Sequence, residues 1–115
     1  MKKFDNFLNE LLVAGLVDNR KLAAVANARN LPNGEFGFCL MCLKGSTLDL
    51  YNTNIKQEVG DLLYTIDLKK TTNLKTSAFM FNSYIKFTYE GFNYKLVDCV
   101  DKKLYNAIKD ESENS

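Results

Sequence analysis

The stretch that most constrains the fold is Ser83 to Val97, SYIKFTYEGFNYKLV. Ile85, Phe87 and Tyr89 alternate with Tyr84, Lys86 and Thr88. Beyond Glu90-Gly91, Phe92, Tyr94 and Leu96 alternate with Asn93, Lys95 and Val97. Period-two alternation assigns each set to one face of a strand. If Tyr89 pairs with Phe92, Phe87 meets Tyr94 and Ile85 meets Leu96, and such aromatic and aliphatic cross-strand pairs stabilise a sheet. Gly91 supplies the positive φ of a tight hairpin, although glutamate is not the preferred residue beside it. The same register sets Lys86 opposite Lys95. Like charges directly opposed are unfavourable, so that face is expected to be wet or to meet an anion.

Upstream, Phe4, Phe7, Leu8, Leu11 and Leu12 recur at helical spacing and predict an amphipathic helix over Phe4 to Leu16, with Gly15 as its stop. Lys21 to Asn30 reads two ways. Its alanines favour helix, with Asp18 as a cap, while Leu22, Ala24, Ala26 and Ala28 would share one face of a strand. Leu31-Pro32-Asn33-Gly34 is a turn by composition. Phe36 to Leu43 and Thr47 to Asn52 predict a second hairpin around Lys44-Gly45. In that pairing Cys39, Met41 and Leu43 share a face with Leu48 and Leu50, while Phe36, Phe38, Leu40 and Tyr51 occupy the other. A strand apolar on both faces needs cover on both, and the N-terminal helix is the nearest cover.

Leu62 to Leu68 and Leu74 to Phe81 read as further strands, separated by the polar Lys69 to Asn73, with Asn82-Ser83 as the turn into the organising hairpin. After Val97 the period lengthens. Val100, Leu104, Ala107 and Ile108 fall on one helical face, with Asp98 as N-cap and Asp101 in the first turn. The charged residues from Asp110 onward are expected to fray. The chain thus divides into an N-terminal helix (1–20) packed on the domain, a single domain (21–110) and a disordered tail (111–115).

Several chemistries are excluded or disfavoured. The 115 residues suit one domain, and a net charge of +1 argues against an electrostatically driven nucleic-acid binder. There is no histidine, which removes the usual general base and the commonest metal ligand. Of the three cysteines, Cys39 and Cys42 form C-x-x-C within a strand-like run, so their side chains face opposite ways. They read as buried, inert, reduced thiols of a cytoplasmic protein. Asp5 and Glu10 interrupt the apolar N-terminus, so it does not read as a secretory leader. Asp61 and Asp67 make no convincing catalytic dyad. No enzyme activity, metal or cofactor is expected.

The order of elements resembles the pleckstrin-homology (PH)-like superfold, in particular the bacterial PH-like and GRAM-like domains. The resemblance is carried by Gly34-Glu35 before FGFCLMCL, then KGSTLDLY, LLYTIDLKKTTNL, YIKFTYEGFNYKLV and the closing VDKKLYNAIK. It covers roughly Lys21 to Lys109 and favours strand for Lys21 to Asn30. The implied class is α+β: a PH-like barrel of about seven antiparallel strands in two nearly orthogonal sheets, plugged by a C-terminal helix, with the N-terminal helix an addition. Fold alone does not fix function.

Some PH domains bind phosphoinositides through basic residues around the first inter-strand loop. Here that loop has only Arg29 beside it and contains Glu35, and the loop after the third strand offers only Lys56, flanked by Gln57 and Glu58. The expected function is a non-catalytic module that binds protein or peptide, or self-associates, with a peripheral anionic-lipid role as the alternative. The candidate binding residues are Arg29, Lys56, Lys69, Lys70, Lys86 and Lys95, with Lys69-Lys70 and Lys75 the densest basic segment and Lys2-Lys3 a further contact for lipid.

Overall fold

The computed structural model describes residues 2–54, 56 and 58–113, the side chains of residues 2–5 excepted. Its elements are α1 (Lys2–Val13), β1 (Ala23–Asn30), β2 (Gly37–Lys44), β3 (Thr47–Asn52), β4 (Leu62–Asp67), β5 (Thr72–Phe79), β6 (Asn82–Tyr89), β7 (Phe92–Val97) and α2 (Lys102–Glu113). Within Lys21 to Asn30 the strand reading holds from Ala23 onward, with Lys21 and Leu22 preceding it. All neighbouring strands run antiparallel, in the order β4-β3-β2-β1-β7-β6-β5. The seven strands and closing helix are those expected. The two sheets, however, are continuous: β1 bonds to both β2 and β7, with an irregularity between Ala28 and Asn30. The sheet does not close into a barrel, because β4 and β5 each keep one edge unpaired within it.

The organising hairpin has the expected register, with Tyr89 opposite Phe92, Phe87 opposite Tyr94, Ile85 opposite Leu96 and Lys86 opposite Lys95. The Phe87 and Tyr94 rings stack at 4.9 Å. Both turn residues have left-handed backbone, Glu90 at φ 50 and Gly91 at φ 78. In the second hairpin Leu43 meets Leu48 and Met41 meets Leu50, while the turn falls one residue later than expected, on Gly45-Ser46.

The sheet's two faces carry different cores. On the inner face Ala24, Ala26, Ala28, Cys39, Met41, Leu43, Leu48, Leu50, Ile66, Ile85, Phe87, Tyr94 and Leu96 pack with Leu104, Tyr105 and Ile108 of α2. That helix rests against β5 and the 3-10 turn Leu68–Lys70, plugging the gap between the two edge strands. On the outer face α1 lays Leu11 over Leu40, Cys42, Tyr51 and Ala23, with Val17 from the following segment. The α1 terminus is fixed by paired bonds, Gly15 N–H to Leu12 O at 3.0 Å and Leu16 N–H to Leu11 O at 2.9 Å, with Gly15 at φ 78. This is the glycine-dependent helix stop that Gly15 suggested. Phe4 and the Lys2-Lys3 side chains lie outside the described residues.

Four local readings are corrected. The N-cap of α2 is Asp101, whose Oδ1 accepts from Leu104 N–H at 3.0 Å. Asp98 instead takes left-handed backbone at φ 63 and accepts from Asn27 Nδ2 at 2.8 Å. Val100 consequently precedes the helix and is exposed, and α2 runs on to Glu113. In β4, a shift between the Leu50–Tyr64 and Tyr51–Leu62 pairs breaks the alternation, turning Leu62 outward while Leu63 packs against the core. Phe36 lies before β2 and, with Phe38, is left uncovered by α1. The turn between β5 and β6 is Met80-Phe81, because Asn82 and Ser83 are drawn into pairing with Phe79 and Ala78.

Candidate interaction surfaces

The cysteines settle where the strand pairing puts them. Cys39 lies in the inner core and Cys42 beneath α1, so the C-x-x-C pair straddles the sheet. All three thiols are free and buried. Burial pushes Cys39 and Cys42 up to about 12, and also raises Cys99. Thiolates are the reactive and metal-binding form, so this environment suppresses both chemistries. Asp67 caps the 3-10 turn through Lys69 N–H, and Asp61 is exposed. Among the described residues no group of His, Cys, Asp and Glu could hold a metal ion. No helix among them is long and apolar enough to cross a membrane.

The candidate basic residues separate into groups. Lys86 and Lys95 face each other, and Lys75 of β5 stands in register beside Lys86, so three lysines form one row across β5, β6 and β7. They point away from the inner core, as their strand neighbours Ile85, Phe87, Tyr94 and Leu96 are buried in it. The row borders a shallow hollow of about 490 Å³ that also involves Asn73, Thr88 and Asn93. Tyr84 lies on the same face, its ring centroid 5.4 Å from Lys86 Nζ and 5.9 Å from Lys95 Nζ. Both distances allow cation–π attraction. Arg29 joins this group, bordering with Lys95, Tyr84, Phe81 and Asp98 a hollow at the row's flank. Lys69 and Lys70 lie apart, exposed on the 3-10 turn against α2. Lys56 is exposed in the loop after β3, its N–H bonded to Asn54 Oδ1 at 2.9 Å, and its neighbours 55 and 57 lie outside the described residues.

Among the described residues the ion pairs all run through Arg20, to Asp18 and Glu111. None of Lys75, Lys86, Lys95 and Arg29 is therefore neutralised by a carboxylate. Arg20 itself is structural. Its guanidinium clasps Asp18, reaches Glu111 of α2 at 3.0 Å and donates to Gly45 O at 3.0 Å, while Asp18 Oδ2 accepts from Gly45 N–H at 2.8 Å. The bonded Arg20 guanidinium holds the Asp18 carboxyl well below the usual carboxylate range.

A second surface lies at the β1–β2 loop. Leu31, Glu35, Phe36, Phe38, Ala28, Cys39, Asn52 and Leu63 frame a groove of about 310 Å³. Phe36 is 84% and Phe38 45% exposed. The loop is held in shape by Tyr64, whose hydroxyl donates to Glu35 Oε1 at 2.8 Å and accepts from Asn33 N–H at 3.0 Å. Burial, then the Glu35 contact, raises the Tyr64 phenol above its ordinary value. The groove's charged group is thus an acid already bonded to a phenol, unsuited to a phosphate.

The third feature was not legible as a site in the sequence. Phe79, Met80 and Phe81 form the tip of the β5–β6 hairpin, exposed by 78%, 80% and 97%. The available signal was three consecutive large apolar residues next to a turn. Assigning the turn to Asn82-Ser83 absorbed them into a strand and hid it.

No protein-family model matches the chain, and no curated protein does so at a significant level. Among solved structures it is similar to the pleckstrin homology domain of ArhGAP27, with a TM-score of 0.55 over 80% of this chain and 100% of that one. At 13% identity the likeness speaks to fold alone. The fold, with its seven antiparallel strands and closing helix, is PH-like.

Proposed function

We propose that this chain is a non-catalytic, cytoplasmic interaction module that takes an extended protein or peptide segment. One observation carries the reading: the groove of Leu31, Phe36, Phe38 and Leu63 opens beside β4, whose outer edge has no partner strand. An extended segment added to an open edge gains backbone hydrogen bonds, and a flanking apolar groove gives its alternate side chains a place to sit. The uncovered Phe36 and Phe38 supply the aromatic anchors such contacts use. A second copy of the chain using the same groove is the self-associating form of this reading. The fold is consistent with such a role, and the thiols held as SH support a reducing compartment.

The test is selection from a displayed library of extended peptides, followed by titration. The Phe36→Ser/Phe38→Ser double variant should lose at least about tenfold in affinity for the selected sequences. Binding should also slow hydrogen exchange at β4. Peptides that bind both proteins equally, or no selected peptide at all, would refute the groove.

A further inference from the structure

We infer that copies of this chain associate head to tail: β5 of one adds along the open edge of β4 in the next and carries its Phe79 to Phe81 tip into that copy's Phe36 groove. The inference rests on the reading of the groove given above. It goes further in naming the occupant and in making the two contacting surfaces different ones.

The tip and its strand need cover that their own copy does not give. A two-residue hairpin turn ordinarily carries glycine or asparagine, as Gly91 and Gly45 show in the other tight turns. Met80 and Phe81 have no positive φ, so turn geometry does not call for them, and with Phe79 they stand exposed. None of the three lines the groove of its own copy, and the Phe79–Asn82 pair holds them at the end of their hairpin. β5 is the second outer strand of the sheet, and none of its eight residues is buried. Edge strands are ordinarily blunted by charge, proline or a bulge. Here Lys75 and the irregularity after Thr72 blunt the first half alone. Thr76 to Phe79 carry neither charge nor proline.

Direction and charge select β4 as the receiver. The groove opens at Leu63, near the start of β4, while the tip stands at the end of β5. Antiparallel pairing brings these two ends together, whereas parallel pairing would carry the tip away to Asp67. Setting Lys75 opposite Asp67 sets Ser77 opposite Thr65 and Phe79 opposite Leu63, at the β4 irregularity. Lys75, Ser77, Thr65 and Asp67 all face the outer side, because Leu74, Ala78, Tyr64 and Ile66 pack inward. Among the described residues neither Lys75 nor Asp67 has an ion-pair partner in its own copy. The groove rim is acidic as well. Glu35 lines it, and Asp61 and Glu58 adjoin it through bonds to Asn52 and Thr53, against the single base Lys56. The tip is flanked by Arg29 and Lys95. Cationic tip and acidic groove complement one another between copies, a match that favours this partner over a like-charged one. Two unlike surfaces in contact leave one of each unused, so the association builds a row or a ring and not a two-fold dimer.

The experiment is sedimentation velocity on the full chain from about 10 µM to about 1 mM, the range of a small and transient interface. The wild-type mass should rise with concentration past that of a dimer. Met80→Ser/Phe81→Ser and Phe36→Ser/Phe38→Ser should each weaken association at least about tenfold. Mixed in equal amounts, the first variant supplies an intact groove and the second an intact tip. The mixture should form a one-to-one dimer at wild-type strength, and nothing larger. Register is read by mild oxidation with glutathione disulfide. Ser77→Cys mixed with Thr65→Cys should give a disulfide-linked heterodimer while neither links to itself, the three native thiols being buried.

The inference is overturned if wild type stays monomeric over this range while selected peptides still bind the groove, in which case the groove reading stands and its occupant is another molecule. It is overturned too if either serine variant associates as wild type does, which would mark a contact between two tips or two grooves, or if mixing the variants restores nothing. Failure of the groove reading shows separately, as selected peptides that ignore Phe36→Ser/Phe38→Ser, and removes the inference with it.

Discussion

The N-terminal helix gives the most direct quantitative test of how the outer core is built. Leu11 is the α1 residue enclosed against Leu40, Cys42 and Tyr51. Truncating an enclosed leucine to alanine costs about 2–5 kcal/mol. Because α1 lies on the outside of the sheet and can resettle, the low end applies, and about 2 kcal/mol corresponds to roughly a thirtyfold rise in the opened population. Cys42 reports that opening. Docked, burial holds its thiol up to about 12; released, it returns toward 9.0 and reacts at mildly alkaline pH. Alkylation followed by peptide mass spectrometry reads each cysteine separately. In wild type Cys42 should react first, at a rate nearly flat in low urea, since α1 opens without the rest of the domain. Leu11→Ala should quicken it about thirtyfold. Cys39 and Cys99 quicken too, because global stability falls by the same amount, but from a much slower start and with a steep dependence on urea. Two results would refute the reasoning. A Cys42 rate unchanged by Leu11→Ala would mean that Leu11 is not the anchor. A common rate for all three cysteines would mean that α1 and the sheet are one cooperative unit.

Arg20→Met should destabilise the chain by about 1 kcal/mol in urea titrations, a figure reduced from the ideal because the guanidinium is partly solvated. Asp18 has its folded pKa below the ordinary 3.8. Its contribution is therefore complete above that value and is lost as pH falls through the folded one. The gap between wild type and Arg20→Met should be constant near neutrality and close below about pH 4; a gap that persists undiminished into strong acid would rule out the ion pair as its source. Lys86→Glu should raise the melting temperature by about 2–5 °C at low salt, since it turns two like-charge cross-strand pairs into opposite-charge ones, and the gain should shrink at high salt. An unchanged or lowered melting temperature would show that the lysine row does not strain the sheet.

What the sequence revealed, and what it hid, follows from the range of the signals. The β6–β7 register was legible to the residue, because a two-residue turn and three matched apolar pairs fix it locally. The opposite orientations of Cys39 and Cys42 were legible for the same reason. Lys21 to Asn30 was ambiguous, since its alanines prefer helix in isolation, and only pairing on both sides with β2 and β7 selects the strand. The cap of α2 reads as Asp98 in the sequence but is Asp101 in the structure, because Asp98 is recruited by Asn27, 71 positions away. Arg20 likewise joins groups remote in sequence, and no local pattern marks it. Of the candidate site, Lys86 and Lys95 were legible as an opposed pair. Lys75 was visible only as a basic residue, because its alignment depends on the β5–β6 register, which passes through the misread turn.

Those departures from local rules fall in two places, the β1–β2 groove with β4 and the last three strands. Along β1 to β4 most apolar residues are covered, on one side by α1 and on the other by the inner core, and the cysteines lie passively within; the exceptions are Phe36 and Phe38 at the groove and Leu62 at the β4 register shift. Several more departures lie in the last three strands. There three lysines stand in register, a hairpin tip carries Phe-Met-Phe, and Glu90 occupies left-handed backbone that asparagine or glycine would accept more readily. A sequence shaped only for stability would remove each with a single substitution, such as glutamate at 86, serine at 81 or asparagine at 90. Local conflicts retained together on one part of a fold mark where a surface is shaped for something outside the chain. Glu90 lies at the far end of β6 from the tip. The lysine row and the tip stand on adjoining parts of the same strands, one cationic and one hydrophobic, so the cross-strand repulsion read by Lys86→Glu and the exposure of Phe79 to Phe81 are two separate costs carried by one hairpin.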